Sequence, residues 1–404
     1  MNIGKALALM AALVLSGCLN ASETESPSTF QRAEEGCPPL DLLTRAICVC
    51  EDFNDVGKVN VGPYRNGPYG MNYPYDDDGG SVGVNGQSRH TALVGASGSW
   101  DAWEGLATTG DFIVGQNITT PASLSYQGAV RVNGDLTVGG DISGTGQLIV
   151  TGALLLAGEN EARGMQRVGS EGPYVAPAGP PCPCDPATFF DVAAAVESAR
   201  DSNDNDLQAV PADISLWKGD ELTLPTGRYF FTNLESQGKV VINIAGTVAI
   251  YLEGSLDTVG YANFRLADEA QLDLFVSGTI RTVGHIDMAQ EGWHGAGHGW
   301  PYSRFRLYIG GAEPVMMVTG NQFWGGSIYA PTAALRFTGH FMVNGSLFVR
   351  TFDGTGHLEV YGGMQIPPDS CPGATDEPGS GDTPDEPIKV DCYDDPANPL
   401  CINN

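Results

Sequence analysis

The amino-acid sequence predicts an all-β protein: a parallel β-helix (β-solenoid) in two blocks, with one short capping α-helix. Three repeats carry that prediction. Gly128, Gly134, Gly140, Gly146, Gly152 and Gly158 recur every six residues, with apolar side chains two and four places after most of them (Val130/Val132, Leu136/Val138, Leu148/Val150, Leu154/Leu156). Such alternation is a strand with one buried face, and a glycine at a fixed interval marks the corner where the chain turns. Farther on, Val248/Ile250/Leu252 and Thr258-Val259-Gly260 reappear 24 residues later as Leu272/Leu274/Val276 and Thr282-Val283-Gly284. A third region repeats at 19: Gly320 and Gly326-Ser327-Ile328-Tyr329-Ala330 match Gly339 and Gly345-Ser346-Leu347-Phe348-Val349. Unequal coils are expected where loops leave corners, and each coil buries its apolar row only on its neighbours.

Taken in order, residues 1–17 read as a bacterial signal peptide. Lys5 supplies the positive start, and Ala6 to Leu15 form an apolar run too short to span a bilayer. The run ends in Leu15-Ser16-Gly17-Cys18, the pattern of a lipobox: small residues before the cut and a thiol to be acylated after it. Cys18 is therefore expected to become the lipidated N-terminus, held by several acyl chains. In bacterial lipoproteins, which this start resembles, a residue other than Asp after the cysteine directs the protein to the outer membrane, and here it is Leu19. Residues 18–36 form a polar tether, and 37–158 the N-terminal solenoid block. Residues 159–206 are a connector with Pro173, Pro177, Pro180, Pro181 and Pro183. In it Asp185-Pro186 starts a short helix, with Phe189, Val192, Ala193 and Val196 on one face, expected to cap a coil. Residues 207–367 are the C-terminal block, and 368–404 an acidic tail.

Cysteine usage agrees with export. Besides Cys18 there are Cys37, Cys48, Cys50, Cys182, Cys184, Cys371, Cys392 and Cys401, an even set of disulfide candidates. Cys48/Cys50 and Cys182/Cys184 are C-x-C pairs; cysteines two apart bridge each other poorly, so each pair is expected to reach elsewhere. The spacing leaves the connectivity open.

Composition narrows the partners. The 404 residues carry 20 Lys and Arg against 48 Asp and Glu, a net −28, with no basic cluster, which excludes a nucleic-acid partner. At 42% hydrophobic there is ample core, so the chain is not a disordered polymer. Candidate chemistry is sparse. His285, His294 and His298 could offer imidazoles to zinc or copper. Trp293, Trp300 and Tyr302 could stack on sugar rings. Gly297-His298-Gly299 is shared with β-helical polygalacturonases, but the paired carboxylates that such hydrolysis needs are missing beside it. Asp76, Asp77 and Asp78, and likewise Asp201, Asn203 and Asn205, are candidate calcium ligands; no cofactor is expected, calcium being the possible exception. The second run lacks the EF-hand glycine and glutamate, having Asp206 and Ala212 there.

The run Leu224-Pro225-Thr226-Gly227-Arg228-Tyr229, with Asp273-Leu274-Phe275-Val276-Ser277-Gly278, Gly326 to Pro331 and Gly345 to Arg350, resembles an uncharacterised family of bacterial cell-surface β-helical lipoproteins. Related domains occur in adhesin-like and pilus-associated proteins. Cys48-Val49-Cys50-Glu51-Asp52-Phe53 and Val82-Gly83-Val84-Asn85-Gly86 resemble its N-terminal half, and the glycine hexads resemble those of bactofilin-type β-helices, which polymerise. The resemblance implies fold and location and lends no catalytic residues. The expectation is a non-enzymatic, outer-membrane-anchored lipoprotein with a structural or adhesive display role. It would bind polysaccharide, matrix or other surface proteins through loops, and self-assembly is a further option. The alternative is a carbohydrate-active or metal-dependent enzyme on the same scaffold.

Overall fold

A computed structural model describes residues 45–63, 80–267, 270–290, 304–311 and 314–362. Parallel strands make up 61% of it and wind into a β-solenoid of about 12 turns. In the N-terminal block three glycine hexads close one triangular coil. Leu106, Leu124 and Ile142 stack on one face, Phe112, Val130 and Leu148 on the second, and Ile118, Leu136 and Leu154 on the third. Corner side chains repeat the step: Asn117 accepts from the Asp135 N–H and Asp135 from the Ala153 N–H, each 18 residues on.

The C-terminal block uses longer, L-shaped strands such as Asn233–Ile244, Leu256–Leu266 and Ile280–Gln290. Each bends at a glycine. Gly238, Gly260, Gly284, Gly320, Gly339 and Gly356 lie in one column, all with positive φ. A Cβ on Gly356 would stand 2.0 Å from the Gly339 carbonyl oxygen, so neither the backbone angle nor the rung spacing admits a side chain there.

The blocks join in an order opposite to the chain. Strand Phe53–Pro63, near the start of the described chain, pairs along its whole length with the last strand, Leu347–Gly362, from Phe53 on Phe352 to Pro63 on Gly362. Ile47–Val49 likewise sits between Leu347–Val349 and Val82–Val84. The C-terminal block therefore precedes the N-terminal block along the rod axis, and one continuous apolar core runs through both. The two ends of the rod, near Asn160 and Ile214, are joined by the connector in sequence but sit at opposite tips of the stack.

The connector must then run back along the rod, and its composition suits that path. From Gly172 to Cys48 the outward column passes Leu155, Thr137, Thr119, Asp101 and Gly83, a rise of about 29 Å at ~4.8 Å per rung. The ten residues 173–182, rich in proline, cover about 31 Å at the ~3.1 Å per residue of an extended polyproline chain. The strap is then fastened by the disulfides Cys48–Cys182 and Cys50–Cys184. The expected helix starts later than Asp185-Pro186, which open only a 3₁₀ turn, Pro186–Thr188; α1 is Val192–Ala199, N-capped by Asp191, whose carboxylate accepts from the Ala194 N–H. It lies along the side of the rod. Capping falls to the residues after it: Asn205, opening the one-turn helix α2 (Asn205–Gln208), accepts from the Phe230 N–H at 2.9 Å and donates to the Phe230 carbonyl at 2.8 Å. Asp204 accepts from the Arg228 N–H at 2.8 Å. These side chains stand in for the strand that the first coil lacks.

Candidate functional site: one edge of the rod and its flanking faces

Every long segment outside the described residues joins the rod at one edge. The chain arrives at Arg45 beside Gly80, leaves at Pro63 and returns at Gly80, leaves at Gln290 and returns at Arg304, and leaves finally at Gly362, in register with Pro63. The tether, the Tyr- and Asp-rich segment 64–79, the Trp- and His-rich segment 291–303 and the acidic tail thus share an edge within a few rungs. Two faces flank it.

The first lies under the strap. Outward side chains Phe230, Tyr251, Phe275, Tyr308, Tyr329, Phe348 and Cys48 form a ladder because parallel register stacks equivalent positions. Tyr251, Phe275 and Tyr308 stack at 4.8 and 4.6 Å. An outward aromatic column would be an adhesive stripe, but here Phe189, Phe190, Val192 and Val196 of the connector bury it. The Phe190 N–H donates to the Tyr329 hydroxyl at 3.0 Å. In the adjacent outward column, on the same strands as Phe275 and Tyr308, the Arg306 guanidinium meets Asp273 through two hydrogen bonds, that from Nη2 being 2.8 Å, with both side chains sealed from solvent. Burial opposes the Arg306 charge, yet the Asp273 carboxylate holds it above its ordinary value.

The second face is open. Its outward column runs Lys239, Tyr261, His285, Asn321, His340, His357, Lys58. His340 and His357 stack at 4.9 Å with an 11° interplanar angle. Glu359, two residues beyond His357 and so in the adjacent outward column, puts Oε1 3.1 Å from His357 Nε2 and 3.7 Å from His340 Nε2. Asn60 Nδ2 lies 3.3 Å from His357 Nε2. Burial pushes the His357 imidazole below its ordinary value; Glu359 opposes this, and His340 and Lys58 reinforce it.

Inside the rod, Ser88, His90 and Asp55 bear the residue types of a nucleophilic triad. The Ser88 hydroxyl is 2.7 Å from His90 Nε2, and Asp55 is in register with His90 on the preceding rung. They are 0%, 2% and 1% exposed, so no substrate reaches the hydroxyl and the set is part of the core. Neither Asp55 oxygen has a hydrogen-bond partner; burial raises its carboxyl to about 7 and lowers His90 to about 3. A shallow groove of about 430 Å³ crosses the N-terminal block nearby, edged by Arg89, Gln127 and the hydroxyls of Thr109, Ser125 and Ser143.

Of the residues singled out by sequence, His285 stacks on Tyr261 at 4.9 Å, two rungs from His340. His294, His298, Trp293, Trp300, Tyr302, Asp76, Asp77 and Asp78 lie outside the described residues, as do Cys18, Cys37, Cys371, Cys392 and Cys401. Asn203 donates to the Ala199 and Arg200 carbonyls and accepts from the Asn205 N–H, and Asn205 is committed to Phe230. Their amides serve helix ends and the edge strand. The His340–His357–Glu359 group was not legible in the 19-residue repeat, because the next corner glycine after Gly339, Gly356, comes 17 residues on. Gly339-His340 and Gly356-His357 are the signal that extends it.

Among the described residues no helix is long and apolar enough to cross a membrane. A family described as a domain of unknown function (DUF7305) matches residues 184–364, that is, the C-terminal block together with the strap from its last cysteine onward. No curated protein and no solved structure matches the chain.

Proposed function

We propose that this chain is an exported, lipid-anchored surface protein in which a rigid β-solenoid carries a set of contact segments, in a structural or adhesive role. The observation that carries the reading is the shared edge: tether, tail and both long insertions join the rod there, while the rest of the rod repeats. The aromatic residues of 291–303 and the tyrosines and aspartates of 64–79 are the segments offered to polysaccharide, matrix or another surface protein. Two disulfides fastening the strap suit an oxidising compartment, and the lipobox at Cys18 supplies an anchor to the outer membrane. The tether of residues 18–36 would reach up to about 65 Å if extended, enough to let the anchored rod turn its edge outward.

Replacing Cys18 by Ser should release the protein from the membrane fraction; full retention would refute the anchor. On a glycan and matrix-protein array, the released chain should bind a ligand, and Trp293→Ala with Trp300→Ala should abolish that binding. Turnover of a glycan by the same chain would favour an enzyme instead.

A further inference from the structure

The open face beside the shared edge carries a group of ligand atoms that the display role does not use. Parallel register forces His340 over His357, and the two-residue period of the strand forces Glu359 next to them. His340 Nε2, His357 Nε2 and a Glu359 oxygen all lie within 4.8 Å of one another. The remaining Glu359 oxygen, Oε2, accepts from the Tyr361 hydroxyl at 2.9 Å, which leaves Oε1 turned to the imidazoles. Outer contacts of this kind orient metal ligands. His340 Nε2 is buried with no hydrogen bond, and Glu359 Oε1 stands 3.7 Å from it. A buried polar atom left in that state is costly unless something binds it. The ladder beneath is rigid: Phe341 and Leu358, the inward neighbours of His340 and His357, are fully buried.

We propose that His340, His357 and Glu359 form a surface binding site for a divalent transition metal, of which Zn²⁺ is the representative. Two imidazoles and one carboxylate are a donor set for zinc and for the neighbouring first-row ions, with a fourth position left to water or an incoming ligand. Metal–nitrogen bonds of ~2.0–2.1 Å need the two nitrogens about 3.3 Å apart in a tetrahedral site. The rings therefore swing together about their side-chain torsions as the metal enters, and both side chains have the room, being 38% and 30% exposed. Three neighbours set the affinity, the first being the Asn60 amide, 3.3 Å from His357 Nε2, which gives way to the ion. Asn321 stands in register with His340 on one side, and the Lys58 ammonium stands in register with His357 on the other, where it opposes a cation.

The test is calorimetric titration of Zn²⁺ into the full chain without a histidine tag, stripped with chelator, in a buffer that does not bind metal. The wild type should show one zinc-specific equivalent that excess Ca²⁺ does not compete away. His357→Ala and Glu359→Gln should each weaken it by at least tenfold, and Tyr361→Phe by about tenfold through lost orientation. Lys58→Met should tighten it. His294→Ala with His298→Ala should leave it unchanged, which separates this group from the histidines of 291–303. Absence of a zinc-specific equivalent, or one that survives both His340→Ala and His357→Ala in chains of unchanged circular dichroism, overturns the proposal.

Discussion

Asp55 gives the sharpest test of the interior as described. Its carboxyl is 1% exposed, has no hydrogen-bond partner and is raised by burial from 3.8 to about 7. Between those values the folded chain keeps a proton that the unfolded chain releases. Stability from this group is therefore complete below about pH 4 and lost as pH rises through 7. At ~1.36 kcal/mol per unit the loss is about 4 kcal/mol. His90 works in the other sense. Its folded value of about 3 lies below the ordinary 6.5, so its contribution is present above pH 6.5 and lost as pH falls toward 3. Between about pH 4 and 6.5 the two slopes oppose, and this pair leaves the wild-type profile nearly level. Asp55→Asn removes one slope and keeps the shape. Urea unfolding of the soluble chain, disulfides intact, should show the variant gaining about 4 kcal/mol relative to wild type between pH 4 and pH 8. A difference independent of pH, or a variant that loses stability at pH 8, would mean that Asp55 is ionised and paired in the core, and would refute the reasoning.

The strap supplies a second prediction. Both disulfides span 134 residues, so either one alone keeps the long loop closed. Urea midpoints should show Cys48→Ser with Cys182→Ser costing about 2 kcal/mol, and removal of both bridges about 5 kcal/mol. The sealed ion pair supplies a third. Arg306→Met alone should cost roughly 3–5 kcal/mol by leaving the Asp273 carboxylate uncompensated, and Arg306→Met with Asp273→Leu should recover most of it. If the single and double variants are equally destabilised, the pair is held by packing rather than by charge.

The corners were legible because glycine has to repeat where the chain turns under its neighbour. What a period of six does not reveal is how many sides a coil has; that three hexads close a turn follows from Asn117 stacking under Asp135, 18 residues on. Nor is the order of the blocks in any local signal, since it rests on Phe53 meeting Phe352, a pairing between the two ends of the described chain. The connector's prolines read correctly as an extended stretch. Its destination was hidden, because Phe230, Tyr251, Phe275 and Tyr308 alternate with core residues and look like ordinary strand aromatics until something is seen to cover them. The helix was expected at a coil end, and α1 instead spends its apolar face on that column. His340 and His357 were missed for a simpler reason: coil length falls from 19 to 17 residues between them, which breaks a search at fixed step.

The reversed order of the blocks makes the rod continuous and sets where its tether and contact segments emerge, and one distance decides it. Met165 and Trp217 are exposed, lie 52 residues apart in sequence and sit at opposite tips of the stack. About 12 rungs at ~4.8 Å separate them by roughly 58 Å. Spin labels placed at Met165→Cys and Trp217→Cys, with Cys18, Cys37, Cys371, Cys392 and Cys401 replaced by Ser and the Cys48–Cys182 and Cys50–Cys184 bridges kept, should give a narrow distribution near that value. A distance of about 10–20 Å would mean that the C-terminal block continues directly from the end of the N-terminal one, and would contradict the strapped, reversed solenoid.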